Sequence, residues 1–534
     1  MMKRNYLWAL IASLVMVGCS NNDDPATNNE GKPGEESYLA INIASAHDLG
    51  SRATTDQDFV DGTADEAAVK SAIVFFFDGN GNPVKVHGDY NYRRMAVGDV
   101  TADNSANVES NVQLVALLED APETPKKVAV VLNWIYEGVA LSVDQLAQKL
   151  AGEHLPFEQN FDFVMSNSAY MADGKVVNCT EIGPGHYANS KEGAQANPVT
   201  IYVERLGVKT SAKLNTEATN TKYNATLGAF DTGVTYTDAA GNAGNKVYVK
   251  ITHWDLNTVN TDAYIIKHLK PEWATNAPFD GWNEPEKFRS YWALAYEPSI
   301  DKSGFAKKSF TWEGISNDIT TNTPEYCLEN TNTEARTKAL FKGVLCDENG
   351  DSLTIYQWYS SYYMSEALLK AAMLENINQQ LKIKGGASAP QLTVDQFDIV
   401  YATKQTAAAD YYKGFATLEE GVTDADVATG VKISDVLKEI PYVKRWWKGG
   451  TYYYTPFKHI SGADAVIRNH FYQLVVQEVK GLGTPGNNPD PDDPENPDPE
   501  IPEPVDPTDE ETYISAKVNV LSWRIFTNNV ILGK

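Results

Sequence analysis

Histidines and cysteines, which often carry acid–base or metal chemistry, are few in this sequence, and their spacing suits neither. His459 and His470 lie near one another, but no third ligand follows at the spacing of a metal site. No nucleophile–base set, glycine-rich phosphate loop, nucleophile elbow or HExxH motif is present. Paired carboxylates indicate no site because the whole chain is acidic. The sequence therefore predicts no catalytic, metal or cofactor site, and it favours His470 as a structural hydrogen-bonding residue over a general base.

One acidic loop carries the oxygens that calcium prefers. It reads Asp78-Gly79-Asn80-Gly81-Asn82-Pro83, but it lacks the closing Glu and the sixth-position Gly of a calcium loop. We therefore expect a tight β-turn here.

Cys19 is the side chain with the clearest chemistry. It follows a basic start, Met1–Arg4, and an apolar run, Tyr6–Val17, that is too short to span a bilayer as a stable anchor. A small residue before a cysteine at the end of such a run resembles the bacterial lipobox, in which the thiol is lipidated and the cysteine becomes the new N-terminus. The polar run Ser20–Asp24 resembles the acidic export tag of surface lipoproteins. The alternative is a plain secretory signal with an incidental cysteine. With Cys19 lipidated, the three remaining cysteines allow at most one disulfide.

A second candidate for chemistry is a peptide bond that a protease could cut. Leu49–Asp56 is small and polar, as in exposed loops that a trypsin-like protease can enter. Cleavage between Arg52 and Ala53 would separate the lipid and everything before it from the rest of the chain. A lone arginine in a loop predicts little by itself, and it is the position of Arg52 between a strand and the body that makes it a candidate.

Similar strands are predicted near both ends of the chain. In Ser37–Ala46 the apolar residues Leu39, Ile41 and Ile43 alternate with other residues. In Tyr513–Val520 the alternating set is Ile514, Ala516, Val518 and Val520. This period of two is typical of a strand with one buried face. Two interchangeable strands suggest one groove with two possible occupants.

The C-terminal strand follows a tether of unusual composition, Thr484–Thr512, which is rich in proline and in carboxylates. Proline favours polyproline II and like charges repel, so we expect an extended, exposed segment. At roughly 3.1 Å per residue it could reach on the order of 90 Å. A strand on such a tether is suited to completing a sheet elsewhere; the alternative, that it returns to its own domain, stays open.

The length of 534 residues predicts two or three domains. Successive strand patterns divide the chain into six parts: a signal peptide at 1–18, a propeptide at 19–52, a first domain at 53–214, a second domain at 215–483, the tether at 484–512 and a tail at 513–534. Short helices are predicted at Ser142–Leu150 and Ser365–Leu381. A net charge of −26 and a pI near 4.7 argue against binding to nucleic acid or, by charge, to anionic lipid.

Several motifs together resemble the type V fimbrial subunits of Bacteroidales. Besides the lipobox, Arg52 and the tail, they are Met165-Ser166-Asn167, Val203-Glu204-Arg205, Phe288–Ala293, Tyr326–Thr331, Gly450–Tyr454 and Arg468-Asn469-His470.

The resemblance spans nearly the whole chain and implies a mainly β protein with two transthyretin-like β-sandwich domains and a few short helices. It further implies export as a palmitoylated outer-membrane lipoprotein, cleavage by an Arg-specific protease, and head-to-tail polymerisation with itself by strand exchange, together with anchor and tip subunits. The expected role is a fimbrium shaft in adhesion, biofilm and virulence, without enzymatic activity.

Under this resemblance the tail is expected to contain two strands. Ile514–Trp523 should remain with its own second domain, and Ile525–Leu532 is the favoured donor, with Ile525, Val530 and Leu532 as its apolar residues. By pattern alone, Val518 and Val520 in Ile514–Val520 match the first strand better.

The alternative function is a surface lipoprotein that binds glycans. Its candidate residues are the aromatic clusters Tyr356-Gln357-Trp358-Tyr359 and Trp446-Trp447, because aromatic faces stack on sugar rings. Such clusters in β-sandwiches also serve as core.

Overall fold

A computed structural model describes residues 37–46, 62–96, 101–102, 108–119, 121–151, 163–284, 289–297, 305–306, 310–401, 412–486, 500–501, 513–521 and 528–529. The protein is mainly β, as predicted, with strands arranged in several sheets. Within these residues no helix is both long and apolar enough to cross a membrane.

The first sheet has ten strands and contains the N-terminal strand, Ser37–Ala46. Its strands, in spatial order, are Tyr92–Ala96, Ser71–Phe77, Lys127–Leu132, Met165–Asn167, Val199–Arg205, Ser37–Ala46, Val108–Leu118 and Thr101–Ala102, with Thr180–Glu181 and Tyr187–Ala188 pairing at the side.

Alternate residues from both halves of this sheet meet in one hydrophobic core. Val74 and Phe76 from one half pack in the same cluster as Val112 and Leu114 from the other. The sheet therefore folds over a shared interior, as the period-2 patterns predict.

Two further sheets form the second sandwich. The five-stranded sheet has the order Glu325–Leu328, Gly207–Leu214, Phe471–Lys480, Tyr513–Leu521 and Asn528–Asn529. The seven-stranded sheet has the order Tyr223–Asn224, Ala229–Tyr236, Asn245–Asn257, Lys338–Cys346, Gly450–Pro456 and Thr484–Pro485, with Asn317–Asp318 beside Asn245–Asn257. Residues of both sheets, such as Leu474 and Phe341, share one core.

The boundary of the first domain lies earlier than the predicted residue 214. The strand Gly207–Leu214 pairs in parallel with Phe471–Lys480 and antiparallel with Glu325–Leu328, so it belongs to the second sandwich. The chain changes sheets at Leu206. Sequence periodicity could not locate this point because alternation along a strand does not show which sheet the strand joins.

A third unit with its own core is inserted between the strands Lys338–Cys346 and Gly450–Pro456. It was not predicted as a separate unit. Its five-stranded sheet has the order Ser361–Tyr363, Ile355–Trp358, Val443–Trp446, Lys413–Leu418 and Phe397–Tyr401. The long helix Glu366–Gly385 buries Leu369, Met373, Ile377 and Leu381 against this sheet.

The remaining elements are short. The other helices are Val143–Ala147, Lys191–Ala196 and Ile433–Leu437, with 3-10 turns at Pro184–His186, Pro271–Ala274, Gly386–Ser388, Val394–Gln396, Trp447–Gly449 and Ile460–Gly462. Two-stranded pairs join Tyr170–Ala172 to Lys175–Val177, Val259–Asn260 to Phe305–Ala306, Asn283–Glu284 to Arg289–Ser290, Phe310–Thr311 to Glu500–Ile501, and Asp426–Ala428 to Val431–Lys432.

The predicted turn and the two predicted helices are present, although both helices end at other residues than predicted. The Asp78 carboxylate accepts hydrogen bonds from the backbone N–H groups of Asn80 and Asn82, each at 2.8 Å, which makes the loop a tight turn. Ser142 caps the helix Val143–Ala147 in a capping box with Gln145. The helix predicted at Ser365–Leu381 runs from Glu366 to Gly385.

Candidate strand-exchange site

The N-terminal strand lies in the interior of the first sheet. It runs parallel to Val199–Arg205 on one side and antiparallel to Val108–Leu118 on the other. Ile41 stands opposite Val199 and Leu114, and Ile43 stands opposite Ile201 and Val112. Both backbone edges of the strand are therefore engaged, and its removal would open a gap between its two neighbours.

The side chains of this strand fill the first core where the structure describes them. Leu39 and Ile41 have no exposed surface and belong to the cluster inside the sheet. The helix Lys191–Ala196 contacts the strand, and Ala40 is also completely buried. At about 25 cal/mol per Å² of apolar surface, burying such side chains contributes roughly 1.5–3 kcal/mol each.

The segments proposed for covalent processing are outside the described residues. These are Cys19, Arg52 and Ala53; the strand ends at Ala46, and the described chain resumes at Gly62. Lipidation at Cys19 and cleavage after Arg52 stay predictions from the sequence.

The C-terminal strand, Tyr513–Leu521, lies in the second sandwich. It runs antiparallel to Phe471–Lys480, so that Val518 stands opposite Leu474 and Val520 opposite Tyr472. On its other side it pairs with two residues, Asn528–Asn529. The strand predicted here is thus present, and it pairs within its own chain.

Of the favoured donor segment, Ile525–Leu532, the structure describes only Asn528–Asn529. Ile525, Val530 and Leu532 lie outside the described residues, so their role as donor residues stays a prediction. The tether is pinned at one point, because Glu500–Ile501 pairs with Phe310–Thr311. An uninterrupted reach on the order of 90 Å from residue 484 is therefore not available in this arrangement.

Three motifs that the sequence singled out without assigning them a role meet between the two sandwiches. Glu204, near the end of a first-sheet strand, accepts a hydrogen bond of 2.8 Å from the Lys267 ammonium, and both side chains are buried. Arg468 forms a buried bidentate ion pair with Glu329 and donates to the Tyr264 carbonyl at 2.8 Å. We call this cluster, Glu204, Lys267, Glu329 and Arg468, the junction network.

In the junction network, burial and ion pairing shift the pKa values of the charged side chains in opposite directions. Burial raises the pKa of the Glu204 carboxyl and lowers the pKa of the Lys267 ammonium, and the attraction between the two offsets part of each shift. Burial by itself would lower the pKa of Arg468, but the Glu329 carboxylate holds that pKa above its usual value. A buried pair of this kind is costly to break because the remaining charge has no solvent.

A second contact across the junction is centred on Glu66. Its carboxylate lies 2.6 Å from the Lys209 ammonium and accepts a hydrogen bond from the Tyr326 hydroxyl. The Arg205 guanidinium donates to the Glu66 carbonyl at 2.8 Å. Together these contacts tie the start of the first domain to strands of the second sandwich.

His459 and His470, which lie near one another in the sequence, are both buried hydrogen-bonding groups. His459 donates from Nε2 to the Tyr291 carbonyl at 2.6 Å and accepts at Nδ1 from the Tyr472 hydroxyl at 2.8 Å. His470 donates from Nδ1 to the Arg468 carbonyl at 2.7 Å. Its pKa is lowered well below the usual range, mainly because the imidazole is buried and secondly because His459 lies nearby. The structural role predicted for His470 agrees with this geometry.

The aromatic clusters proposed for glycan binding lie mostly in cores. Tyr356 and Trp358 are each 6% exposed, and Trp446 is 2% exposed. The exceptions are Tyr359, which is 57% exposed, and Trp447, which is half-buried. These clusters therefore offer no stacking platform, because the rings that would form it pack inward.

The remaining candidates for chemistry are the cysteine thiols and possible metal ligands. Cys179, Cys327 and Cys346 are free thiols and all are buried. Across the described parts of the chain, no group of three or more His, Cys, Asp or Glu side chains is arranged to hold a metal ion.

Comparison with known proteins adds a family match at the C-terminal end. Residues 445–529 match the family described as major fimbrial subunit protein type IV, fimbrillin, C-terminal. This stretch includes Arg468-Asn469-His470, the tether and the C-terminal strand, and over it the resemblance to fimbrial subunits is confirmed. No curated protein sequence is significantly similar to the chain.

Solved structures with similar overall outlines are distant. A fimbrilin from Porphyromonas gingivalis is 13% identical with a TM-score of 0.38, covering 92% of this chain and 99% of its own. A putative cell adhesion protein from Bacteroides eggerthii is 12% identical with a TM-score of 0.35, covering 92% and 97%. A fimbrial assembly protein from Parabacteroides distasonis is 9% identical with a TM-score of 0.33, covering 92% and 100%. At these values the likeness carries no argument about this chain.

Proposed function

We propose that this chain is a structural subunit of a cell-surface fimbrium and has no enzymatic activity. The observation that carries the proposal is the match of residues 445–529 to the C-terminal part of a fimbrial subunit family. That stretch holds the strand pair Phe471–Lys480 and Tyr513–Leu521, which would present the end of the chain to a neighbouring subunit.

Assembly proceeds in three steps in this proposal. The precursor is exported as a lipoprotein through Cys19, with the N-terminal strand completing the first sheet in cis. A surface protease specific for arginine cuts between Arg52 and Ala53, which frees that strand. The last residues of a neighbouring subunit, within Ile525–Leu532, then enter the gap between Val199–Arg205 and Val108–Leu118.

Two physical features support this order of events. A strand bound at both edges hides the neighbouring backbone groups, which would otherwise pair with any available chain. Donation of one subunit's end to the next subunit's beginning is a heterologous contact, which generates a filament where the rotation does not close.

The test is electron microscopy of negatively stained cells with and without the gene, combined with a Cys19→Ala variant. We expect filaments only with the intact gene, and heat-labile, SDS-resistant ladders of the chain on gels. Cys19→Ala should incorporate no radiolabelled palmitate and should not reach the surface. A chain that stays monomeric on fully fimbriated cells would contradict the proposal and favour a binding protein.

A further inference from the structure

Two buried oxygen atoms at the junction have no hydrogen-bond partner among the described residues. They are Oε1 of Glu204, a residue that is 3% exposed, and Oγ of Ser290, which is 1% exposed. A buried polar atom without a partner costs free energy, and most buried polar atoms in folded proteins are paired with a protein group or with ordered water. Both atoms are therefore expected to have a partner other than these protein groups.

The two atoms belong to residues that hold the same cation. The Lys267 ammonium donates to the other carboxylate oxygen of Glu204, Oε2, at 2.8 Å, and to the main-chain carbonyl of Ser290 at 2.7 Å. These two acceptors therefore lie within two hydrogen-bond lengths of each other, and Oε1 and Oγ are attached to the same two residues. One small molecule beside the ammonium can contact both atoms.

The Lys267 ammonium can itself bind such a molecule. An ammonium group has three N–H donors, and among the described residues the hydrogen bonds of Lys267 use two of them. The site thus offers one donor from Lys267, one acceptor at Oε1 of Glu204, and the Ser290 hydroxyl, which can donate or accept. This set of partners suits a molecule that also does both.

The charges around the site favour a neutral molecule. The Glu204 carboxylate would repel an anion, the Lys267 ammonium would repel a cation, and the two already neutralise each other as an ion pair. The neighbouring Arg468 and Glu329 form an ion pair of their own. Water is the smallest neutral molecule that both donates and accepts hydrogen bonds. Buried waters typically make about three hydrogen bonds, the number that this site offers.

We propose that one water molecule is bound inside the junction network. It accepts a hydrogen bond from Lys267, donates one to Oε1 of Glu204, and shares one with the Ser290 hydroxyl. The water thereby completes the hydrogen bonding of a buried carboxylate that has one oxygen paired with Lys267. The proposal goes beyond the proposed function and does not depend on it.

The water site lies at the end of a strand that borders the N-terminal strand. Val199–Arg205 pairs with Ser37–Ala46 as far as Val203, and Glu204 is the next residue. Ser290 lies outside that sheet, in the short strand Arg289–Ser290, which pairs with Asn283–Glu284. The water therefore connects the first sheet to a separate strand pair and helps to hold the end of Val199–Arg205 in place.

Replacing Ser290 by alanine tests the water site by the sign of its effect. If the hydroxyl has no partner, Ser290→Ala removes an unpaired buried group, and stability stays the same or increases. If the hydroxyl binds the water, the substitution leaves the water and Glu204 less well paired. The equilibrium constant for unfolding, measured by denaturant titration, should then rise about five- to thirtyfold.

Ser211→Ala is the matched control for this substitution. Ser211 is also 1% exposed, and its hydroxyl has no partner among the described residues. It lies on Gly207–Leu214, and its replacement should leave the unfolding constant within about twofold of the parent value or lower it.

A high-resolution crystal structure of the full chain locates the water directly. We expect an electron-density peak within hydrogen-bond distance of Glu204 Oε1, Ser290 Oγ and Lys267 Nζ. This measurement uses the parent chain, so it decides the question even if Ser290→Ala does not fold. Three results would overturn the proposal: unchanged or higher stability of Ser290→Ala, an equal loss in Ser211→Ala, or a direct hydrogen bond between the Glu204 carboxyl and the Ser290 hydroxyl with no density beside them.

Discussion

The strands at the two ends of this chain resemble each other in sequence and differ in their surroundings. The N-terminal strand, Ser37–Ala46, lies between two long neighbours and is paired along both edges. The C-terminal strand, Tyr513–Leu521, is paired along Phe471–Lys480 on one edge, and on the other edge the described residues that pair with it are Asn528–Asn529. One is an inserted strand and the other lies next to the margin of its sheet.

The different pairing of the two strands indicates which of them can be exchanged. Taking out the inserted strand exposes backbone groups on both neighbours and opens the first core, so its site would be refilled by another strand. Among the described residues, the C-terminal strand is paired along one edge with Phe471–Lys480 and on the other edge with two residues, Asn528–Asn529. In the proposed assembly the first strand is therefore the one displaced, and the C-terminal strand carries the segment that replaces it.

The largest effect is expected from blocking the release of the inserted strand. Arg52→Ala should leave the chain lipidated, surface-exposed and monomeric, with a complete loss of filaments by electron microscopy. Arg93→Ala, at a half-buried position in the first domain, is the control for loss of an arginine. Normal filaments from Arg52→Ala would remove this residue from the assembly pathway.

A large loss of stability is expected where the two sandwiches are tied together. Lys267→Met leaves the Glu204 carboxylate buried without its cation, which should lower the free energy of unfolding by about 3–5 kcal/mol. Adding Glu204→Gln should recover part of the loss. Lys270→Met, three residues away and exposed, should change it little. Denaturant titration checks all three; equal stability of Lys267→Met and Lys270→Met would show that the junction network does not couple the sandwiches.

The inserted strand should contribute to stability only until it is cut away. In the uncleaved chain, Leu39→Ala removes a fully buried side chain and should cost about 2–5 kcal/mol. Thr200→Ala, on the neighbouring strand and exposed, is the control. After cleavage after Arg52 and removal of the strand, the parent and Leu39→Ala chains become identical, so a difference that persists would contradict the release.

A smaller effect on the free energy of unfolding is expected when the pH is lowered, through His470 at the junction. Burial lowers the pKa of His470 when the chain is folded, so below about pH 6.5, its unfolded value, only the unfolded chain takes up the proton. Stability contributed by neutral His470 is therefore present above pH 6.5 and is lost as the pH falls, by at most about 1.4 kcal/mol per pH unit. His470→Gln should flatten this part of the stability profile between pH 7 and 5. An unchanged slope would assign the acid sensitivity elsewhere.

Periodicity predicted the individual elements well. The alternation in Ser37–Ala46 and Tyr513–Val520 identified both terminal strands. These patterns are local because they depend only on which side chains of each strand face the core. The same locality explains why the boundary at Leu206 was missed, because alternation does not say which sheet a strand joins.

Contacts between residues that are far apart in the chain could not be predicted from the sequence. Glu204, Lys267 and Arg468 are far apart in the chain, and nothing in their spacing indicates that they meet in one buried network. Of the third unit only the helix was predicted from the sequence, because the strands of its sheet are short and partly exposed. The aromatic clusters at Tyr356–Tyr359 and Trp446–Trp447 were ambiguous for a related reason: composition does not distinguish a ring that faces a core from one that faces solvent.

The most direct test of the central claim uses a peptide with the sequence of residues 525–532 and a chain that lacks its own residues 526–534. We expect that the peptide binds this chain after cleavage at Arg52, that a peptide of residues 37–46 competes with it, and that the uncleaved chain does not bind. Hydrogen exchange should then protect Val199–Arg205 and Val108–Leu118 on binding. Equal binding to cleaved and uncleaved chains, or protection elsewhere, would contradict the exchange of one strand for the other.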